Sequence, residues 1–239
     1  LETVLSILGP EWGYTISDVS EGKQSNQERV AILYYRPRVE SRNIAGEVVL
    51  TDDELIEGGQ LARKPLIASF ATGALEFRLC TAHLLWGRRE DDRLGEVEAL
   101  AGHLARKAKR QTLNMMIAGD LGRADADWHG FEPWRRAGFT VDRRHLHPSF
   151  VRGDRVLDFI GLRFDHDPIE QPGRPMKSGA LNYYESVYRA EDEHHYRALM
   201  HRQQNRGARL RTYELLRTFE MSDHLPVWLE LDLRRLVHR

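Results

Sequence analysis

The chain has 239 residues, enough for one large α/β or all-β domain, or two small ones, with a proper core and no need of disulfide or metal staples. Hydrophobic residues are 41% and charged residues 30%, which excludes a membrane-embedded or compositionally disordered chain, and the lone cysteine, Cys80, excludes an intramolecular disulfide and any cysteine-cluster metal site. Lys plus Arg at 35 against Asp plus Glu at 36 leaves a net charge of -1, so a nucleic-acid partner has to be met by a local basic patch.

Leu1, Val4, Leu5 and Leu8 follow helical spacing and stop at Gly9-Pro10, so the chain reads as starting inside a helix. After a polar loop around residues 20–27, the β-prone run from Arg29 to Tyr35 predicts a strand. Ile67–Phe70 and Leu75–Thr81, parted by Thr72-Gly73-Ala74, predict a hairpin that ends near His83. From Arg88 to Arg110, Leu94, Val97, Leu100, Ala101, Leu104 and Ala108 recur three or four apart and predict the longest helix. Met115–Ala118 is too short for a helix and reads as a buried strand with Asp120 at its end. Phe131–Ala137 predicts a helix stopped by Gly138, and Val156–Leu162 a strand with Asp158 on the face opposite Leu157 and Phe159. Between Phe164 and Phe219 no strand signal is found, a helix is expected from about Leu181 to Arg202, and Arg197, Arg202, Arg206, Arg209, Arg211 and Arg217 make the segment basic. Alternation over Val227–Leu233 predicts the last strand. No signal peptide or membrane-spanning run is seen, so no membrane partner is expected and a soluble, cytoplasmic setting is favoured.

His83, Asp120, Asp158 and the Asp223-His224 pair all fall at or near strand ends, which converge on one rim in an α/β sandwich. Taken singly, each has a structural reading: a strand-end histidine, a turn former, a capped turn. A carboxylate within an apolar strand, as at Asp158, needs a partner if buried, and an arginine or a backbone amide serves as well as a histidine. Together the residue types suit phosphoester chemistry. Carboxylates take a hard cation such as Mg²⁺, a carboxylate can deprotonate water, and an imidazolium neutralises phosphate oxygens.

Thr81-Ala82-His83-Leu84, Gly119-Asp120-Leu121-Gly122, Leu157-Asp158-Phe159-Ile160 and Ser222-Asp223-His224-Leu225-Pro226-Val227 resemble the ordered motifs of the endonuclease/exonuclease/phosphatase superfamily, the deoxyribonuclease I-like proteins. Glu28–Tyr34 resembles the family's early strand and Arg63-Lys64-Pro65-Leu66 its following turn. The resemblance implies a four-layer α/β sandwich of two packed mixed sheets flanked by helices, and metal-dependent cleavage of a phosphate ester. It implies Asp223 as the metal ligand, His224 and His83 as phosphate-contacting histidines, Asp158 as the group orienting His224, and Asp120 as the group orienting the water.

Two departures accompany it. Gly122 stands where the family has asparagine, and the family's opening strands, with their asparagine and Gln-Glu motif, would precede Leu1; Glu2 and Glu11 fall on the wrong elements to replace that glutamate. The expectation is one domain over 1–239, short at its N-terminus, with a polar Arg-rich insertion over 165–218. The leading functional expectation is a Mg²⁺-dependent (or Mn²⁺-dependent) nuclease on DNA, with Arg206 and Arg209 on the phosphate backbone and Trp86 stacking on bases. A solvated face for the arginines and core packing for Trp86, Trp128 and Trp134 are the structural counterparts. The competing expectations are a catalytically impaired binding or regulatory module and a phosphatase on a small ester.

Overall fold

The computed structural model describes residues 1–19, 28–56, 59–73, 75–84, 90–111, 113–124, 131–140, 143–164, 177–205 and 212–232. Along them run α1 (Glu2–Leu8), β1 (Trp12–Ile16), β2 (Ala31–Tyr35), β3 (Glu40–Glu47), β4 (Leu66–Thr72), β5 (Leu75–His83) and α2 (Glu90–Gln111). There follow β6 (Met115–Ala124), α3 (Glu132–Arg136), β7 (Val156–Arg163), β8 (Ser178–Ala180), α4 (Glu193–Asn205), α5 (Tyr213–Glu220) and β9 (Val227–Leu229).

Five strands form the central sheet in the order β3-β4-β5-β6-β7. Every pairing is antiparallel except β5 with β6, which α2 joins as a βαβ crossover. Strand alternation sends the two faces of this sheet to different partners. On β4, Leu66, Ala68 and Phe70 pack with Ile32 of β2, whereas Ile67 joins Cys80, Ala82 and Ile117 against Val97, Leu100, Leu104 and Ala108 of α2. Trp134 of α3 is fully buried on that helical side, edge-on to Phe139, which makes it a core residue rather than a base-stacking one. The described strands therefore form the five-stranded mixed sheet, with helices on one face, and two further antiparallel pairs, β1-β2 and β8-β9. This is the expected α/β sandwich. No helix among the described residues is long and apolar enough to cross a membrane.

Several elements differ from the sequence expectation. Asp120 lies within β6, not at its end, because the strand continues past an irregularity to Ala124. The strand expected to reach Leu233 stops at Leu229. β3 carries no alternation because nearly all of it is exposed on the sheet's edge, and a register shift with Asn43 at φ 54° interrupts it. β8 is Ser-Gly-Ala, with no apolar signal of its own, and exists by pairing with β9. The helix expected from Leu181 begins at Glu193 instead, since Tyr188 at φ 52° cannot be helical. α5 was hidden in the basic segment, although Tyr213 and Leu216 bury one face of it against Tyr196 and Leu199.

Candidate active site

Register along three adjacent strands assembles the polar cluster. His83 on β5 lies opposite Asp120 on β6, and Asp120 lies opposite Asp158 on β7. Side chains directly opposite on neighbouring strands point the same way, so the three share one face. Gly119 makes this possible. It sits at φ +137°, and a β-carbon there would overlap the Ala82 carbonyl oxygen, so only glycine lets β6 close on β5 one residue before Asp120.

His224 reaches the same face from the turn before β9. Its Nδ1 is 2.7 Å from Asp158 Oδ2, a charge-assisted contact that joins two residues 66 positions apart. Ser149, fully buried, holds the two segments together: its Oγ accepts from the amides of Leu157 and Asp158 at 3.0 Å, and its carbonyl accepts from Leu225 at 2.6 Å. Phe150 bridges His224 and stands edge-on to its ring, with centroids 6.3 Å apart.

His83 has its own carboxylate. Its Nδ1 is 2.7 Å from Glu28 Oε2, and its Nε2 is 3.6 Å from Asp120 Oδ2, an ion-pair separation too long for a hydrogen bond. Glu28 is the site residue that sequence reading passed over. It was visible only as the first residue of an early-strand block, and nothing local in a sequence pairs it with a histidine 55 positions later.

The electrostatics set two titrations apart. Burial, then the charge of Asp158, raises the Asp120 carboxyl above the ordinary aspartate value, against opposing pulls from His83, His224 and the Gly122 amide. The Asp158 hydrogen bond raises His224 above the ordinary histidine value, against burial and with help from the charges of Asp158, Asp120 and Asp223. The site therefore holds a carboxylate more basic than usual beside an imidazole that keeps its proton to higher pH. A carboxylate of that kind suits taking a proton from water, beside an imidazole whose charged form is favoured.

Asp223 lies beside His224 with its side chain 47% exposed, and Arg152 Nη2 is 4.0 Å from its Oδ2. A hard cation takes six or more oxygens. Among the described residues no group of three His, Cys, Asp or Glu converges to hold one, so Asp223 and its described neighbours do not by themselves fit a Mg²⁺ site. Gly122, at φ +104°, offers a backbone amide to Asp120 in place of the asparagine side chain that the resemblance implies. Trp86, Arg206 and Arg209 lie outside the described residues, as does Trp128.

No sequence-family profile matches the chain, and no curated protein matches it in sequence. Solved structures do match in fold. The mannosyl-6-phosphatase of Bacteroides thetaiotaomicron VPI-5482 superimposes with a TM-score of 0.58 at 16% identity, covering 93% of this chain and 78% of that one. An endonuclease/exonuclease/phosphatase family protein from Leptotrichia buccalis C-1013-b gives 0.52 at 12% identity, covering 92% and 72%. The catalytic domain of human Nocturnin gives 0.51 at 13% identity, covering 67% and 63%. The five-stranded mixed sheet, the helices on one of its faces and the antiparallel pairs β1-β2 and β8-β9 accordingly make the fold shared with these solved structures, the deoxyribonuclease I-like sandwich.

Proposed function

We propose that the chain hydrolyses phosphate esters by attack of water at the face shared by His83, Asp120, Asp158 and His224. The observation that carries this reading is the register of β5, β6 and β7, which sets a raised aspartate between two histidines, each held by its own carboxylate. Asp120 takes the proton of the attacking water. His224, whose charged form Asp158 favours, and His83, held by Glu28, face the phosphate oxygens as negative charge builds on them. The fold carries phosphatase chemistry elsewhere, as the name of the mannosyl-6-phosphatase records.

Dependence on a divalent cation, Mg²⁺ or Mn²⁺, is read by chelation and add-back; Asp223 is the residue that the resemblance implies for it, and the described residues around it do not by themselves complete a site. DNA as substrate rests on the basic segment with Arg206 and Arg209, and on Trp86. It is tested by plasmid cleavage and by the salt dependence of DNA binding with both arginines reversed in charge.

The primary experiment measures hydrolysis of p-nitrophenyl phosphate, bis-p-nitrophenyl phosphate and supercoiled plasmid with added Mg²⁺ or Mn²⁺. Asp120→Ala and His224→Ala are each expected to lose about 10²-fold or more, the usual contribution of a positioned acid or base. Wild-type rates in both variants would show the site to be elsewhere. A wild-type chain that binds DNA in a salt-dependent way yet turns over none of these substrates would instead be a binding module on this fold.

A further inference from the structure

The turn that carries Asp223 and His224 lies between α5 and β9, outside any regular element. A helix or sheet satisfies its peptide groups by repetition, whereas the peptides of a turn have to be held one at a time. The segment before β7 holds one of them: the Asp223 carbonyl oxygen accepts from the Val151 amide at 2.9 Å. The His224 amide donates to Ser222 Oγ at 3.0 Å, within the turn itself.

Two phenols from the segment after β8 meet the carbonyls of Ser222 and His224. The Tyr183 hydroxyl is 2.9 Å from the Ser222 carbonyl oxygen and 3.0 Å from that of His224. The Tyr184 hydroxyl is 2.7 Å from the Ser222 carbonyl oxygen and 3.0 Å from that of Arg217 in α5. A phenol has a single proton to donate. Tyr184 makes the shorter contact with Ser222, so Tyr183 is the hydroxyl whose proton serves His224. A donor on that carbonyl fixes the peptide plane that follows His224, as Val151 fixes the plane that precedes it. With both planes held, the Cα–Cβ bond of His224 has one direction, and its ring reaches Asp158 Oδ2 at 2.7 Å.

Tyr183 is itself held in place. It opens one turn of 3₁₀ helix, Tyr183–Glu185, and the preceding Leu181 amide donates to the Pro226 carbonyl at 2.8 Å. The rings of Tyr183 and Tyr184 lie 4.6 Å apart, Tyr184 is buried, and the Arg217 guanidinium covers it at 4.5 Å. These ring contacts do not depend on the Tyr183 hydroxyl, so Tyr183→Phe separates the hydrogen bond from the packing.

We propose that Tyr183 is a positioning residue for His224: its hydroxyl, acting through the His224 carbonyl, aims the imidazole at Asp158 and at the phosphate. Its part in turnover rests on the phosphoesterase reading, whereas its hold on the His224 ring does not. Loss of the hydroxyl leaves the charge and identity of every group on the catalytic face unchanged and loosens only the direction of one ring.

The test compares wild type, Tyr183→Phe, His224→Ala and the double variant in hydrolysis of bis-p-nitrophenyl phosphate. It also follows the nitrogen-bound ring proton of His224 by ¹⁵N-edited proton NMR, identified as the signal that His224→Ala removes. Misplacement by about 1 Å can cost 10²-fold, and Tyr183→Phe, which frees one side of the turn, is expected to lower kcat roughly tenfold with KM within about twofold. The His224 ring signal broadens or disappears in that variant. In the His224→Ala background Tyr183→Phe costs less than about twofold more, because the group it positions is gone. Wild-type kcat in Tyr183→Phe, a loss confined to KM, or the full loss repeated in the His224→Ala background would each overturn the assignment. So would an unchanged ring signal, a wild-type chain without that signal, or a Tyr183→Phe chain that fails to fold by circular dichroism, since the hydroxyl would then serve the fold at large. A wild-type chain that shows the ring signal, loses it in Tyr183→Phe and hydrolyses nothing overturns the phosphoesterase reading alone.

Discussion

Replacing Asp158 by Asn preserves the side chain's shape and one acceptor oxygen but deletes the charge 2.7 Å from His224 Nδ1. Two consequences follow from one change. His224 loses the largest influence that raises it and keeps the burial that lowers it, so its titration moves to lower pH. Asp120 loses the second-largest influence that raises it, so its titration also moves to lower pH. The proposed mechanism needs Asp120 deprotonated and His224 protonated, which predicts a bell with an acid limb above the ordinary aspartate value and an alkaline limb above the ordinary histidine value. The limbs belong to the coupled cluster rather than to single residues, but both shift acidward together in the variant. A hydrogen bond to a charged group is worth about 1.5–3 kcal/mol, so kcat/KM at the optimum falls roughly 10- to 150-fold. The assay is kcat/KM for bis-p-nitrophenyl phosphate across the pH range, with circular dichroism to compare folding. Limbs that stay in place, or a loss below about threefold, would refute the coupling of Asp158 to both groups.

Glu54 supplies a prediction away from the site: burial opposes its charge, but hydrogen bonds from His103, the Thr51 amide, Arg106 and the Thr51 hydroxyl hold its pKa at about 2, against 4.5 when unfolded. That pairing contributes about 3 kcal/mol, fully present above pH 4.5 and lost as pH falls toward 2, so Glu54→Gln lowers neutral-pH stability by up to that amount in urea titrations and flattens the acid dependence over this window. Leu100, on the core face of α2, is completely buried, and Leu100→Ala is expected to cost about 2–5 kcal/mol by the same measurement without shifting either pH limb. Gly119→Ala has to part β5 from β6, so activity and stability fall together, and an active, fully stable variant would contradict the close approach described. At Gly122→Asn the new β-carbon meets only an ordinary contact with the Val97 side chain at 3.8 Å, but φ is unfavourable, costing about 1–3 kcal/mol, so its melting temperature drops whether or not the new amide aids catalysis.

Local pattern determined a good part of this molecule. The 3.6-residue stripe over α2, the alternating hairpin of β4 and β5, and the apolar runs of β6 and β7 are signals that neighbouring residues carry by themselves, and each became the element it predicted. Motif order was equally legible, because residue type and order alone group His83, Asp120, Asp158 and Asp223-His224 as one set. Contacts between distant segments were not. Nothing in the residues around Glu28 announces that it meets His83, and nothing in Ser-Gly-Ala announces a strand until β9 lies beside it. The placement of Asp120 opposite both His83 and Asp158, the raised titrations that follow, and the contact of Tyr183 with the His224 turn all come from strand register and packing. Register is fixed by the sum of many side-chain contacts across a sheet, and that sum exists only once the segments have met.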